Sequence, residues 1–362
     1  MRVILAKILK YRSRNNCFVL LFSFFFSCST NQPTTQIPEQ EITQELSRSE
    51  LSYKTAIRSI FQDSKGNYWF GSHQEGVCLY DGIDFNYFKV VDGLSDNQIR
   101  TIQEDKKGNI WFGTGNGVSS YNGEYIVKHT IYDKGPENNQ VPISENDLWF
   151  NAGHQPAVYR YDGNSLTYLT LPIPENNDPF NSRAVTGFAK SATNKIWIIT
   201  YGAVFEYDGQ TFNIINENSS GYASEDKNLH IRSVFEDSKG NLWIGNNSIG
   251  VLLKQGESII NFSELMHLRR ENSPGDGSYS PKGTLEHVFA IAEDADGNIW
   301  FGDRDTGAWK YDGNVMKNYT EEQGLTDPFV QTIYLDKNGN LLLGMGDGSV
   351  CQFKDDIFEK VY

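Results

Sequence analysis

The chain has 362 residues, a formal net charge of −14 and only four cysteines. So large an excess of carboxylates argues against nucleic acid and anionic membrane surfaces as partners, because both attract positive charge. Long acidic glycans are repelled on average too, unless a local basic pocket overrides the mean.

Residues 1–27 form a basic and then apolar leader. Arg2, Lys7, Lys10, Arg12 and Arg14 precede an apolar run from Cys17 to Phe26. Such a run is too short to cross a bilayer, which takes about 20 residues, but it suits the core of a signal peptide. It ends in Phe25-Phe26-Ser27-Cys28, which resembles the lipobox of bacterial lipoproteins, with Phe25 where Leu is usual. The resemblance implies a lipid on Cys28 and a cell-envelope protein anchored in the outer membrane, facing the periplasm or the exterior. Simple secretion and an uncleaved anchor are the alternatives. Loss of the leader removes five Arg and Lys and no Asp or Glu, which takes the net charge from −14 to about −19. Residues 28–50 are rich in Thr, Gln, Pro, Glu and Ser, and Pro33 and Pro38 interrupt any helix. They are expected to form a flexible tether.

From residue 51 onward the chain repeats itself. Residues 57–71 read I-R-S-I-F-Q-D-S-K-G-N-Y-W-F-G, and close copies stand at 99–113, 231–245 and 288–302. Each unit holds four short candidate strands, about Ile57–Gln62, Tyr68–Gly71, Val77–Tyr80 and Phe85–Val90 in the first. Turn residues separate them: Asp63-Ser64-Lys65-Gly66-Asn67, then Tyr80-Asp81-Gly82. Three further units are degraded, and the marker of the second strand falls at Trp69, Trp111, Trp149, Trp197, Trp243, Trp300 and Leu342. The third unit is expected to lack a normal first strand, with Val141–Ser144 as a remnant. Intervals of about 40 residues suit the blades of a radial repeat. One such meander leaves an apolar face uncovered, and packing each sheet on the next covers it. Residues 51–362 are therefore expected to be all-β: a seven-bladed β-propeller of four-stranded antiparallel blades, with the Trp residues filling the layers between blades.

The pattern I-x-x-D-x-x-G-N-[IL]-W-[FI]-G, followed by Y-D-G, resembles the two-component regulator propeller repeat over about residues 56–362. The family is best known from extracytoplasmic sensor regions of bacterial hybrid histidine kinases. The resemblance implies a sensory, ligand-binding role, an oligosaccharide or an envelope protein as partner, and output through a separate protein. Two other readings stand beside it: a polysaccharide lyase or hydrolase acting at the propeller mouth, and a structural interaction module of the envelope.

The long insertions all join the fourth strand of one unit to the first strand of the next. In an up-and-down meander these emerge on the same face as the loops between second and third strands. Long loops on one face of a rigid scaffold are the usual place for recognition. Those second-to-third loops carry the candidate ligand-binding residues: His73, Gln74 and Glu75; Asn116; His154 and Gln155; Tyr201; Asn246 and Asn247; Asp303, Arg304 and Asp305; and Asp347 beside Met345. The repeats agree in framework and differ here, as a binding rim would and as unconstrained loops also would.

No cofactor or metal is expected. The Asp63-x-x-Gly66-Asn67 turn offers too few oxygens for calcium, which takes about six to eight, and is expected to be an Asx-type turn. His73, Glu75 and His154 are separated by two blade spacings and make no evident metal shell. Cys78 and Cys351 fall in third strands of the first and last units, and symmetry turns them away from each other, so two buried thiols are expected. Trp309 either extends packing beside the rim or stacks on a sugar.

Overall fold

The five-residue turn at the start of each blade is built around one carboxylate. Asp63 Oδ1 accepts the backbone N–H groups of Lys65 and Asn67, both at 2.9 Å. Its Oδ2 accepts Asn67 Nδ2 at 2.9 Å and the indole Nε1–H of Trp69 at 3.0 Å. The backbone then needs a positive φ at Gly66, observed at 91°, where a side chain would be strained. Asp105, Asp237 and Asp294 make the same set of bonds, with Trp111, Trp243 and Trp300 as the indole donors. The turn is thus of the expected Asx type, and its carboxylate also fixes the tryptophan that the next blade packs on.

This computed structural model describes residues 50–129, 140–172, 184–220, 229–270 and 278–362. The leader, Cys28 and all of the expected tether but Glu50 lie outside the described residues, as do parts of four inter-blade insertions. The described residues belong to one unit, Leu46–Tyr362, and this unit is a seven-bladed propeller. Six of its sheets have four antiparallel strands in chain order. Blade one comprises Ile57–Gln62, Tyr68–Ser72, Val77–Tyr80 and Phe85–Phe88. Among the described residues, first strands of successive blades lie side by side and form the inner wall of the ring, except at blade three.

Blade three has three described strands, Leu148–Asn151, Ala157–Tyr161 and Leu166–Thr170. The expected remnant does not pair with them. Val141 instead donates its N–H to Gly209 O and to the Tyr207 hydroxyl of blade four. The inner edge of Leu148–Asn151 meets a side chain from blade two: Gln103 Nε2 donates to Trp149 O at 2.8 Å, and Gln103 Oε1 accepts Trp149 N–H at 3.4 Å. One amide side chain stands in for a strand residue.

Packing between blades repeats as the turns do. Trp69 of blade one sits in a core cluster with Leu94, Ile99, Ile102 and Phe112 of blade two. The glycine near the end of the second strand in blades one and seven is there because the first strand of the next blade comes too close for a side chain. A Cβ on Gly71 would stand 2.5 Å from Ile99 Cγ2, and one on Gly344 would stand 2.8 Å from Ile57 Cβ. The ring closes through the same contacts. Leu342 packs with Ile57 and Phe70. Because Leu342 has no indole N–H, Asp336 Oδ2 takes its place-holder from across the interface: the Tyr68 hydroxyl donates to it at 2.6 Å. Cys78 and Cys351 are buried thiols in different inter-blade clusters, as expected. Trp309 is buried, its Nε1–H donated to Thr306 Oγ1 at 3.0 Å, which makes it a packing residue.

Candidate functional site

One face of the ring gathers two sets of loops. In five blades the N–H just after the second strand is donated to the carbonyl just before the first strand of the same blade. His73 pairs with Ala56, Gly115 with Gln98, Asn247 with His230, Arg304 with His287 and Gly346 with Phe329, at 2.8–2.9 Å. These bonds clip the second-to-third loops to the inter-blade connections, which places both on the expected face.

The candidate residues divide into exposed and structural ones. Gln74, Asn116, His154, Gln155 and Asp347 are exposed, while His73, Tyr201, Asn247 and Arg304 are half-buried. Glu75 Oε1 accepts the N–H groups of Lys54 and Thr55 at 2.7 and 2.9 Å, which ties down the segment entering blade one. Asn246 and Met345 are fully buried. Asp303 is also fully buried and accepts three backbone N–H groups, from His287, Asp305 and Thr306. Burial pushes its carboxyl up to about 7. Asp305 holds Arg304 through two bonds at 2.8 and 2.7 Å and accepts Ser280 N–H at 2.9 Å, so it braces the loop above it. Asp347 caps Ser349.

His73 of blade one and His154 of blade three face the same space beside blade two. They line one open pocket of about 300 Å³ together with Gln74, Asp96, Gln98 and Arg100. That volume is at the lower end of the range for small-ligand clefts. Glu75 is not among the lining residues, and among the described residues no three His, Cys, Asp or Glu side chains stand together as metal ligands.

Sequence reasoning missed the arginines. Each first strand except that of blade three carries a register shift at its second residue, between Ile57 and Ser59 in blade one and at the equivalent places in the others. A bulge re-aims the extra side chain out of the strand's alternation. In blades one, two and five that residue is Arg58, Arg100 and Arg232. Arg58 Nη1 lies 3.3 Å from His73 Nδ1. Arg100 donates to Gln98 Oε1 at 3.1 Å and, across blade three, to Val185 O at 3.3 Å. Arg232 lies between the rings of Tyr201 and Phe289, 4.9 and 4.8 Å from their centres, and its Nε is buried without a partner. None of the three is ion-paired among the described residues. Burial, and then the charge of Arg100, push Arg58 down to about 10. The same surroundings keep the histidines neutral: burial and the charge of Arg58 lower His73, while burial, Arg232 and His287 lower His230 to about 4. The repeated I-R-[ST] at the head of three first strands was the signal for this cluster.

The two component regulator propeller family matches residues 51–74, 93–116, 226–248 and 283–305, in blades one, two, five and six. No curated protein matches the sequence. Among solved structures, the extracellular domain of a hybrid two component system from B. thetaiotaomicron is similar at 20% identity and TM-score 0.62, over 84% of this chain and 40% of that one. The extracellular domain of a one component system from the same organism gives 19% and 0.60, over 82% and 38%. Virginiamycin B lyase from Staphylococcus aureus, in complex with quinupristin, gives 14% and 0.59, over 85% and 97%. The chain thus spans about two fifths of the length of the two extracellular domains. At these identities the likeness is one of fold. The chain is thus a seven-bladed propeller, four of whose blades match the two component regulator propeller repeat.

Proposed function

We propose that the chain is an extracytoplasmic sensory propeller that binds a small ligand, such as a glycan fragment, at the mouth of the ring. The observation that carries this reading is the pocket in which His73, Gln74, Arg100 and His154, from three successive blades, face one space. The similar solved structures are extracellular domains of regulatory systems, which supports the sensory part. In this reading residues 1–27 are removed, Cys28 carries the lipid, residues 28–50 tether residues 51–362 to the envelope, and a separate partner carries the signal.

The test is a thermal-shift screen of the purified protein against neutral and acidic oligosaccharides. A ligand of the mouth raises the melting temperature with concentration, because it binds only the folded state. His154→Ala, an exposed change, is expected to weaken that shift and to leave the ligand-free melting temperature alone. A shift that His154→Ala and His73→Ala both leave untouched would move the site elsewhere.

A further inference from the structure

We propose that Arg58, Arg100 and Arg232 form an oxyanion-binding site at the mouth, which takes a carboxylate or sulfate group of the ligand. The inference rests on the reading of the mouth as a ligand site and adds the chemistry of what enters it. Three observations carry it. The guanidinium groups come from blades one, two and five: Arg58 stands 3.3 Å from His73, which lines the pocket with Arg100, and Arg100 reaches Val185 O of blade four, the blade whose Tyr201 ring lies against Arg232. None is ion-paired among the described residues, in a chain whose net charge is −14. Arg232 leaves a buried Nε–H unpartnered, and the one hydrogen bond of its side chain among the described residues, to the Tyr201 hydroxyl, is long at 3.5 Å.

Like charges repel, and an unpartnered buried donor destabilises the fold, so an arrangement of this kind needs a reason beyond stability. The guanidinium supplies one. It is planar, weakly hydrated and always charged, and its parallel N–H groups match the oxygens of a carboxylate or a sulfate. The flanking rings of Tyr201 and Phe289 fix the plane of Arg232 before any ligand arrives. Asp96 is the one carboxylate among the residues lining the pocket. It accepts Gln98 N–H at 2.8 Å, and its charge is too little to neutralise three arginines. The pocket opens beside Arg100, so a ligand whose anionic end meets the arginines can lay its remainder between His73 and His154.

The experiment titrates the purified protein with sodium sulfate, sodium glucuronate and glucose at constant ionic strength, and reads melting temperature and heat of binding. Sulfate or glucuronate, or both, should give a saturable shift, and which of them binds more tightly identifies the group. Arg232→Gln should weaken binding about tenfold or more, the loss of a charge-assisted hydrogen bond, and Lys65→Gln, on the exposed turn far from the mouth, should not. Should Arg232→Gln fail to fold, Arg58→Gln carries the same test, since among the described residues that side chain touches only His73 by hydrogen bond. No saturable shift from either anion, or a shift unchanged in both arginine variants, overturns the inference. Neutral oligosaccharides that bind with the arginine variants unaffected would overturn it while leaving the mouth as a ligand site. Silence from every sugar and anion would remove both.

Discussion

Asp237 shows how much one carboxylate does in this repeat. It is 5% exposed and accepts two backbone N–H groups, the Asn241 amide and the Trp243 indole. Asp237→Ala leaves all four donors without it, and a buried donor without an acceptor costs more than the bond itself contributed. We expect a loss of about 3 kcal/mol, read from urea unfolding. Asp81→Ala, in an exposed turn, should leave the urea midpoint nearly unmoved. His230 gives a second prediction at this scale. Its folded pKa, about 4, lies below the unfolded value of roughly 6.5. Between those values the unfolded chain binds a proton that the folded chain refuses, so this group's contribution to stability is present above pH 6.5 and lost as pH falls toward 4. Burial shifts His73 and His287 in the same direction, whereas the raised carboxyl of Asp303 opposes them. The His230 part is therefore read as a difference: the melting temperature of His230→Gln should fall less than that of the parent between pH 6.5 and 4.5. Parallel curves would show that His230 does not titrate as argued.

At the scale of elements, blade three is the informative exception. Its strand Leu148–Asn151 pairs with Ala157–Tyr161 on one side, and its inner edge has no described strand of its own blade beside it. Gln103 of blade two pairs with Trp149 on that edge. Gln103→Ala should cost about 1–3 kcal/mol through the unpaired backbone groups, and should speed amide exchange at Trp149 while leaving the strands of blade five unchanged. The loss of a regular first strand was legible in the sequence, because residues 132–146 break the repeat. The rescue by Gln103 was not, since a glutamine at the fifth place of a strand has no local mark of its partner. The bulges were hidden for a related reason. Simple alternation puts Arg58 on the face opposite Ile57, and only the register shift seen between paired strands shows that the second residue is turned out of that order. Thus the exposed rim residues His154, Gln155 and Asn116 could be named from loop position, whereas the arginines could not. Buried Asp303 and Asn246 have the same loop address as the exposed residues, and sequence position does not separate a cap from a ligand contact.

The whole ring depends on one interface that the chain does not cross covalently. Blade seven meets blade one through non-covalent contacts, and no strand is exchanged between them. The seam is denser in aromatic rings and specific bonds than the shared pattern requires. Gln62 donates its N–H to the Tyr334 hydroxyl at 3.0 Å and accepts Lys337 N–H through its side chain, also at 3.0 Å. Tyr362 packs against Phe70 at 5.0 Å and Tyr80 at 5.3 Å between ring centres. Every other inter-blade layer is also held by continuous chain, so its loss leaves the blades side by side. Loss of the seam opens the ring. Tyr362→Ala removes an aromatic side chain that is half-buried there, for which we expect about 2 kcal/mol, below the 3–5 typical of a fully buried ring. The same substitution should also raise susceptibility to limited proteolysis in blades one and seven before blades four and five, because opening begins at the seam. Tyr68→Phe tests the seam by another route: Asp336 loses the hydroxyl that replaces the missing indole of Leu342. If both variants lower stability but cleavage remains uniform around the ring, the propeller unfolds as one cooperative body and the seam has no separate role in opening it.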